Sequence, residues 1–158
     1  MKGTRALTPY QKALALMARK SPPLDEVLAL LEKAHQEGEP QATYALATWH
    51  LHGKDPVIKL DLREGTRLLR TAAERGVPEA CFDYAVSLEK GAGIRRNERL
   101  AAVYYLKAML AGDKAALNEV GRLFYHGIGV AKDRRVAWVF LDAFEQSKAD
   151  GNRSNQRS

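Results

Sequence analysis

The sequence has little of what several protein classes require. It has one cysteine among 158 residues, which excludes a disulfide scaffold and a zinc site built on cysteines. Its longest apolar runs, such as residues 13–18, are about six residues long, far short of the roughly 20 that span a bilayer as a helix. We therefore expect no membrane-spanning segment. The first residues lack the apolar region and cleavage site of a secretory signal, which predicts a cytoplasmic protein.

The body of the chain also has a smaller excess of positive charge than the net charge suggests. The formal net charge is +6, but four of the cations lie in the first five and last seven residues, which contain no acids. These cations are Lys2, Arg5, Arg153 and Arg157. The remaining body carries only +2. With 46% hydrophobic residues, this body can form a folded core, and the location of its charge matters more than the sum.

The chain contains an internal repeat of 36 residues. Residues 80–85 align with residues 116–121, and the turn at Gly91 and Gly93 aligns with a second Gly-x-Gly turn. Asn97 aligns with Asp133. An earlier unit over residues 42–76 follows the same pattern with a loop that is two residues longer. Repetition at this period is typical of solenoid proteins.

Each unit has the pattern of two antiparallel helices. Small and apolar residues recur at helical spacing in the first half of each unit, which lets a neighbouring helix pack closely. Glycine then ends that helix, because it takes left-handed backbone angles at little cost. Asp61, Asn97 and Asp133 follow as N-caps of the second helix, which closes at Gly76 and Gly112 in the first two units.

This pattern resembles the Sel1-like repeat, a relative of the tetratricopeptide repeat. The resemblance covers residues 24–147, and two departures from it are visible. Asp55 replaces a turn glycine in the first unit, and Lys148 stands where the third should close with glycine. The residues that carry it in the second unit are Ala80, Tyr84, Ala85, Leu88, Gly91, Gly93, Ile94, Asn97, Ala101, Tyr104, Tyr105, Lys107, Ala108 and Gly112. The resemblance implies an all-α fold, a right-handed α-solenoid of antiparallel helix pairs with about eight helices.

The repeats set the predicted domain boundaries. A divergent helix pair precedes them, capped by Thr8 and with Gln11 able to complete a capping box. The predicted segments are a disordered N-terminus (1–7), the divergent pair (8–38), repeat 1 (39–76), repeat 2 (77–112), repeat 3 with an extended last helix (113–150) and a disordered tail (151–158).

The residues that could carry chemistry do not form a catalytic pattern. The Gly-x-Gly turns lack both the third glycine of a dinucleotide fingerprint and the Gly-Lys-Ser/Thr of a P-loop. His50 and His52 point about 200° apart on a helix and cannot share a metal ion. Cys81 has no sequence-adjacent base or basic cluster, which favours a packed thiol over a reactive one. We predict no catalytic residue, metal site or cofactor.

The first helix of each repeat offers one candidate binding surface, since repeat stacks bind partners on the face that these helices line. Trp49 and Arg122 are its predicted anchors, because tryptophan and arginine dominate interface energetics. A core position for Trp49 is the alternative, since it borders the apolar stripe. This helix-A face comprises Trp49, His52, Asp83, Lys90, Glu119, Arg122 and His126.

A second candidate surface recurs with the repeat. An arginine follows each N-cap by two residues, and further cations lie beside it. Cations at helix N-termini oppose the helix dipole, so helix stability does not explain them. Solvated surface and an edge that docks an acidic partner are the two interpretations. This basic edge comprises Arg63, Arg67, Arg95, Arg96, Arg99, Arg134 and Arg135.

The resemblance implies a protein that binds a protein or peptide as an adaptor or scaffold, and the basic edge predicts an acidic partner. One alternative is a protein that neutralises a toxin or enzyme. Nucleic-acid binding is the weaker alternative, because stacking platforms need aromatic residues among the cations and no aromatic stands beside the arginine column in the sequence. Oligomerisation through an exposed end of the stack stays open.

Overall fold

A computed structural model describes residues 6–155 of the chain, with eight α-helices and no strand in that range. The all-α class and the eight helices predicted from the sequence are confirmed. The helices are α1 (Pro9–Met17), α2 (Leu24–Gln36), α3 (Pro40–His52), α4 (Leu62–Glu74), α5 (Pro78–Lys90), α6 (Glu98–Leu110), α7 (Lys114–His126) and α8 (Arg134–Asn155).

The helices fall into two compact units that divide between Val77 and Pro78. In the first unit, α1 packs on α2, α2 on α3 and α3 on α4. In the second unit, α5 packs on α6, α6 on α7 and α7 on α8. Within each unit, neighbours in sequence are therefore neighbours in space, as short connections between helices require.

The predicted N-caps start the second helix of each repeat. The Asp61 carboxylate accepts hydrogen bonds from the backbone N–H groups of Arg63 and Glu64, both at 3.0 Å. Asn97 accepts one from Leu100 at 3.0 Å, and Asp133 accepts two at the start of α8. These bonds satisfy backbone donors that have no partner inside the helix. The capping box of Thr8 and Gln11 is also formed.

The same three caps join the two helices of each repeat. Their own backbone N–H groups donate to carbonyls near the end of the preceding helix. Asp61 donates to His50 at 2.8 Å, Asn97 to Leu88 at 2.9 Å and Asp133 to Phe124 at 2.9 Å. One residue thus fixes where the second helix begins and where it lies against the first.

Glycines end the second helices in a Schellman arrangement. Gly76 has φ +88° and Gly112 has φ +97°, values that cost other residues strain. After Gly76, the N–H of Val77 reaches back to the carbonyl of Ala72 at 3.1 Å. After Gly112, Asp113 does the same to Ala108 at 3.0 Å. Residues that sequence reasoning placed at helix ends therefore satisfy the last carbonyls.

Small residues line the helix contacts. Ala42, Ala80 and Ala116 occupy the same position in the three repeats and are all fully buried. A Cβ on Gly121 would lie 2.7 Å from Cδ2 of Leu141, so only glycine lets α7 and α8 approach this closely. Larger apolar side chains fill the space between these contacts, as close packing of protein interiors requires.

The C-terminal tail differs from its prediction. The sequence predicts disorder over residues 151–158, but α8 continues to Asn155 and has 22 residues against 13 in α6. No proline or closing glycine stands at position 148, and each residue added to an existing helix gains a hydrogen bond. Residues 156–158, and residues 1–5 of the predicted disordered N-terminus, lie outside the described residues.

Gly129 lies in the turn of the third repeat, where the backbone packs closely against α6. It has φ +67°, and a Cβ there would overlap the backbone of Glu98 at the start of α6. We expect Gly129→Ala to lower the free energy of unfolding by about 2 kcal/mol or more beyond Gly112→Ala. Gly112 is the matched control, because it has a positive φ and no atom within 4 Å of a Cβ. Urea denaturation measures both, and equal losses would contradict the close contact.

Candidate partner-binding surface

All seven arginines of the basic edge are exposed. Four of them make no ion pair or side-chain hydrogen bond with any described residue. These four are Arg63, Arg95, Arg99 and Arg135. Arg63 belongs to the first unit and the other three to the second. Because their guanidinium groups have no internal partner, they can bind an external anion.

The remaining three edge arginines have internal partners. Arg67 donates to both carboxylate oxygens of Glu64, at 2.8 and 2.6 Å, and these bonds hold the pKa of Glu64 below its ordinary value. Arg96 pairs with Glu98. Arg134 lies over the ring of Tyr125, 5.1 Å from its centroid. These exposed pairs contribute little to stability, so they leave the edge available to a partner.

The second unit has a concave site at this edge. A cavity of about 730 Å³ lies between the start of α6 and the Gly-x-Gly turn of the third repeat. Arg96 and Arg99 supply its cations, and Gly127, Gly129 and Val130 form part of the opposite wall. Most of its exposed lining is polar. The site suits a charged segment of a partner better than an apolar molecule.

Trp49, a predicted anchor of the helix-A face, is buried. Trp49 is only 9% exposed, and the Nζ of Lys54 lies 5.6 Å from its ring centroid. A side chain this buried offers little surface to a partner, which favours the core alternative for Trp49. Its position beside the apolar stripe explains why the sequence left both alternatives open.

Arg122, the other predicted anchor, lies at the centre of an ion-pair cluster in the second unit. It donates to both oxygens of Glu89 on α5, at 2.9 and 2.8 Å, and to Glu119 on α7 at 2.8 Å. Tyr105 on α6 donates its hydroxyl to Glu89 at 3.1 Å. Three helices therefore meet at one carboxylate. The guanidinium of Arg122 is used inside the unit, and its binding of a partner stays a prediction.

Burial controls the chemistry of this cluster. Tyr105 is 2% exposed, and burial, together with the negative charge of Glu89, raises the pKa of its hydroxyl. Burial by itself lowers the pKa of Arg122, but the hydrogen bonds to Glu89 and Glu119 outweigh it and raise the value. The cluster thus holds a neutral phenol and a charged guanidinium, and we call it the Arg122 clamp.

Four other residues of the helix-A face are exposed or half-buried. His52 and Lys90 are exposed at the ends of α3 and α5. His126 is exposed at the end of α7, with its ring 4.9 Å from that of Tyr125. Asp83 is half-buried. The role of these four side chains in binding stays a prediction.

The first unit has its own hollow, of about 310 Å³, between α2, α3 and α4. His35, His50, Glu64 and Arg67 line it. Burial and the charges of Arg75 and Arg67 lower the pKa of His35, whose Nδ1 lies 2.8 Å from the hydroxyl of Thr43. Among the described residues, no group of three or more histidine, cysteine, aspartate or glutamate side chains could hold a metal ion.

Cys81 is buried, with 4% of its surface exposed. Burial raises the pKa of its thiol, which keeps the group protonated, whereas nucleophilic chemistry needs the thiolate. This agrees with the packed thiol favoured by the sequence.

Sequence reasoning missed the partners that the fold brings to two arginines. Glu89 reaches Arg122 from another helix and Tyr105 bonds to Glu89 from a third, and nothing in their spacing indicates it. Tyr125 and Trp138 accompany Arg134, and here a signal existed, because Trp138 follows Arg134 by four residues and shares its helix face. The premise that no aromatic residue accompanies the arginine column is therefore wrong for Arg134.

These features define a class of protein: paired helices repeated at a fixed register, with exposed cations at the starts of the second helices. None of the helices in residues 6–155 combines the length and apolar character needed to cross a membrane. The family described as Sel1 repeat matches residues 40–77, 78–113 and 114–141. The chain belongs to the Sel1 repeat family.

Relatives and solved structures agree with this assignment. Chitin synthase regulator SKT5 of Saccharomyces cerevisiae is 33% identical over 88 residues, covering 56% of this chain. The chain spans only 13% of that regulator's length. The Sel1 repeat protein of Oxalobacter formigenes has the same fold, with a TM-score of 0.70 and 22% identity over 90% of this chain and 98% of that one. Immunity protein Pa5087 of Pseudomonas aeruginosa gives a TM-score of 0.60 with 22% identity, over 87% of this chain and 52% of that one. These solved neighbours place the chain in the solenoid class.

The Arg122 clamp predicts a pH dependence of stability. Tyr105 has a raised pKa in the folded chain, so its contribution is present below about pH 10, the ordinary tyrosine value. That contribution is lost above pH 10, where the unfolded chain ionises first. We expect Tyr105→Phe to be about 1–2 kcal/mol less stable than wild type at pH 7, and this gap should narrow by about 1 kcal/mol per pH unit above pH 10.

Urea denaturation between pH 7 and pH 11 measures this gap. Tyr125→Phe is the control, because it removes a hydroxyl from a half-buried tyrosine outside the clamp. A gap between wild type and Tyr105→Phe that stays constant up to pH 11 would show that the hydroxyl is not held neutral by its surroundings.

Proposed function

We propose that this chain is a non-catalytic interaction module that binds an acidic protein surface through its basic edge. The observation that carries the proposal is a set of exposed arginines that have no side-chain partner among residues 6–155, namely Arg63, Arg95, Arg99 and Arg135. Three of these stand two residues after an N-cap, where a cation is unfavourable for the helix. A repeated unfavourable placement is explained when the charge serves binding.

The second unit supplies the most concentrated part of this surface. Arg95, Arg96 and Arg99 lie together before and within the first turn of α6, and Arg96 and Arg99 line the cavity of about 730 Å³. Lys132 and Arg135 follow the turn that forms its other wall. Complementary charge across such a surface accelerates association and selects the partner, so the partner should present several carboxylates.

Charge reversal tests this proposal. The variant Arg95→Glu/Arg99→Glu/Arg135→Glu should weaken partner binding by at least about tenfold, because it replaces electrostatic steering with repulsion. The control is Arg19→Glu/Lys20→Glu/Lys33→Glu, which changes the net charge equally at three exposed positions of the first unit. Tagged wild type and both variants would be used for affinity purification with quantitative mass spectrometry.

We expect one captured partner protein to be recovered in equal amounts with wild type and the control variant. The same partner should be absent or strongly reduced with the edge variant. Purified wild type should then bind that protein with an affinity that falls as salt rises. Equal loss with both variants would indicate general charge attraction, and retention by the edge variant would contradict a role for the basic edge.

A second candidate function is neutralisation of a toxin or enzyme. It is supported by the likeness of the fold to proteins named immunity proteins, with TM-scores of 0.60 and 0.56, and by the basic edge, which suits an acidic target. Co-expression with the captured partner separates the two functions. Protection of cells from a harmful partner supports neutralisation, whereas a harmless partner supports an adaptor or scaffold.

Nucleic-acid binding makes a different prediction from either function. A protein that neutralises phosphates loses affinity steeply with salt and would shift an oligonucleotide in a gel at low salt. The body outside the basic stretches 59–67, 95–99 and 132–135 carries about −3, which opposes a long polyanion. We expect no gel shift at 50 mM salt.

A further inference from the structure

Three side chains meet where α8 begins. The guanidinium of Arg134 lies 5.1 Å from the ring centroid of Tyr125, and the rings of Tyr125 and Trp138 meet edge to face at 6.5 Å and 90°. All three belong to the second unit. We call this group the Trp138 cluster.

Trp138 is the most unusual member. It is 62% exposed, and every other aromatic residue of the chain is buried or half-buried. Val139, beside it, is 66% exposed. A tryptophan held in water exposes a large apolar area, and such residues are enriched at the energetic centres of protein interfaces.

The repeat shows what this position does elsewhere. Thirty-six residues earlier, the equivalent position is Ala102, which is 2% exposed on a helix that packs against α7. At α8 a large ring replaces the small residue. The part of the chain that the structure describes provides no ninth helix to cover it.

The rest of this face of α8 does not suit another stacked helix. The positions of Leu106 and Met109 on α6 become Asp142 and Glu145 on α8, and both are exposed. Terminal helices of repeat stacks carry such a polar face for solubility. The apolar area is therefore local to Trp138 and Val139, which argues against a second copy covering the face.

The charges around Trp138 favour an acidic ligand. Lys132, Arg134 and Arg135 lie within six residues of it, against two acids, Asp133 and Asp142. The Asp142 carboxylate accepts a hydrogen bond from the side-chain amide of Gln146. The Asp133 carboxylate already accepts hydrogen bonds from the backbone N–H groups of Arg135 and Val136. Arg134 makes no ion pair with a described residue, and its guanidinium lies over the Tyr125 ring, which attracts the cation. A guanidinium can bind a carboxylate with two parallel hydrogen bonds.

We propose that the Trp138 cluster binds a short acidic segment of a partner protein, with a carboxylate on Arg134 and a neighbouring apolar side chain on Trp138. The proposal rests on the protein-binding function proposed above and specifies its ligand. A nucleic acid fits less well, because stacking of successive bases needs several exposed rings and this chain presents one.

The indole N–H of Trp138 reports binding directly. The chain has two tryptophans, so a proton–nitrogen spectrum of the ¹⁵N-labelled full chain has two indole signals, and Trp138→Phe assigns them. The probes are the peptides Glu-Glu-Leu-Glu-Glu, Glu-Glu-Ser-Glu-Glu and Lys-Lys-Leu-Lys-Lys, and an oligothymidylate. A dilution series of the protein alone tests for a second copy.

We expect Glu-Glu-Leu-Glu-Glu to shift the Trp138 signal, with at least about tenfold weaker binding for the serine and lysine peptides. Arg134→Gln should weaken the first peptide at least about tenfold, and Arg19→Gln, an exposed cation in the first unit, should leave it unchanged.

Four results would overturn the proposal. They are no shift at millimolar peptide, equal shifts with the lysine peptide, a shift with oligothymidylate alone, and a shift on concentrating the protein alone. The edge variant with glutamate at positions 95, 99 and 135 retains Arg134 and Trp138, so it separates this inference from the proposed function. If that variant loses the captured partner but wild type does not bind the peptide, the basic edge is supported and only the Trp138 cluster is rejected.

Discussion

The structure depends on how closely its helices approach one another. Alanine at positions 42, 80 and 116 and glycine at position 121 place no more than a methyl group between the helix backbones. The small residues recur every 36 residues in the last two repeats. Once the pairs are fixed, the caps at their second helices also recur in fixed places. The arginines that follow these caps therefore recur with the repeat as well.

The second unit shows how this regularity supports binding. The third-repeat turn lies against the start of α6, where only glycine fits at position 129. The Arg122 clamp joins α5, α6 and α7 through one carboxylate. The turn lies against the first turn of α6, and the clamp fixes Tyr105 further along the same helix, so both hold α6 in place before any partner arrives. A surface that is organised in advance loses less conformational entropy on binding.

Most of the fold was predictable because its signals are local. The caps at Asp61, Asn97 and Asp133 and the glycine helix ends are set by residues next to them in sequence, and the exposure of the basic edge followed from its place beside those caps. The candidate site was less predictable, because its contacts join distant residues. Glu89 reaches Arg122 across 33 positions, and the burial of Trp49 depends on neighbours that a helical pattern cannot identify. Disorder was predicted for residues 151–158, but α8 continues to Asn155, because composition does not show where an existing helix stops.

Hydrogen exchange of the free chain and of its complex with the captured partner tests the central claim most directly. First-turn amides have no partner inside the helix, and those that bond to a cap are held by an exposed side chain, so a docked partner should slow their exchange. The account predicts protection in residues 95–99 and 131–139, with little change along the exposed positions of α5 and α7. Protection of residues 83–90 and 119–126 with an unchanged basic edge would contradict it and assign binding to the helix-A face.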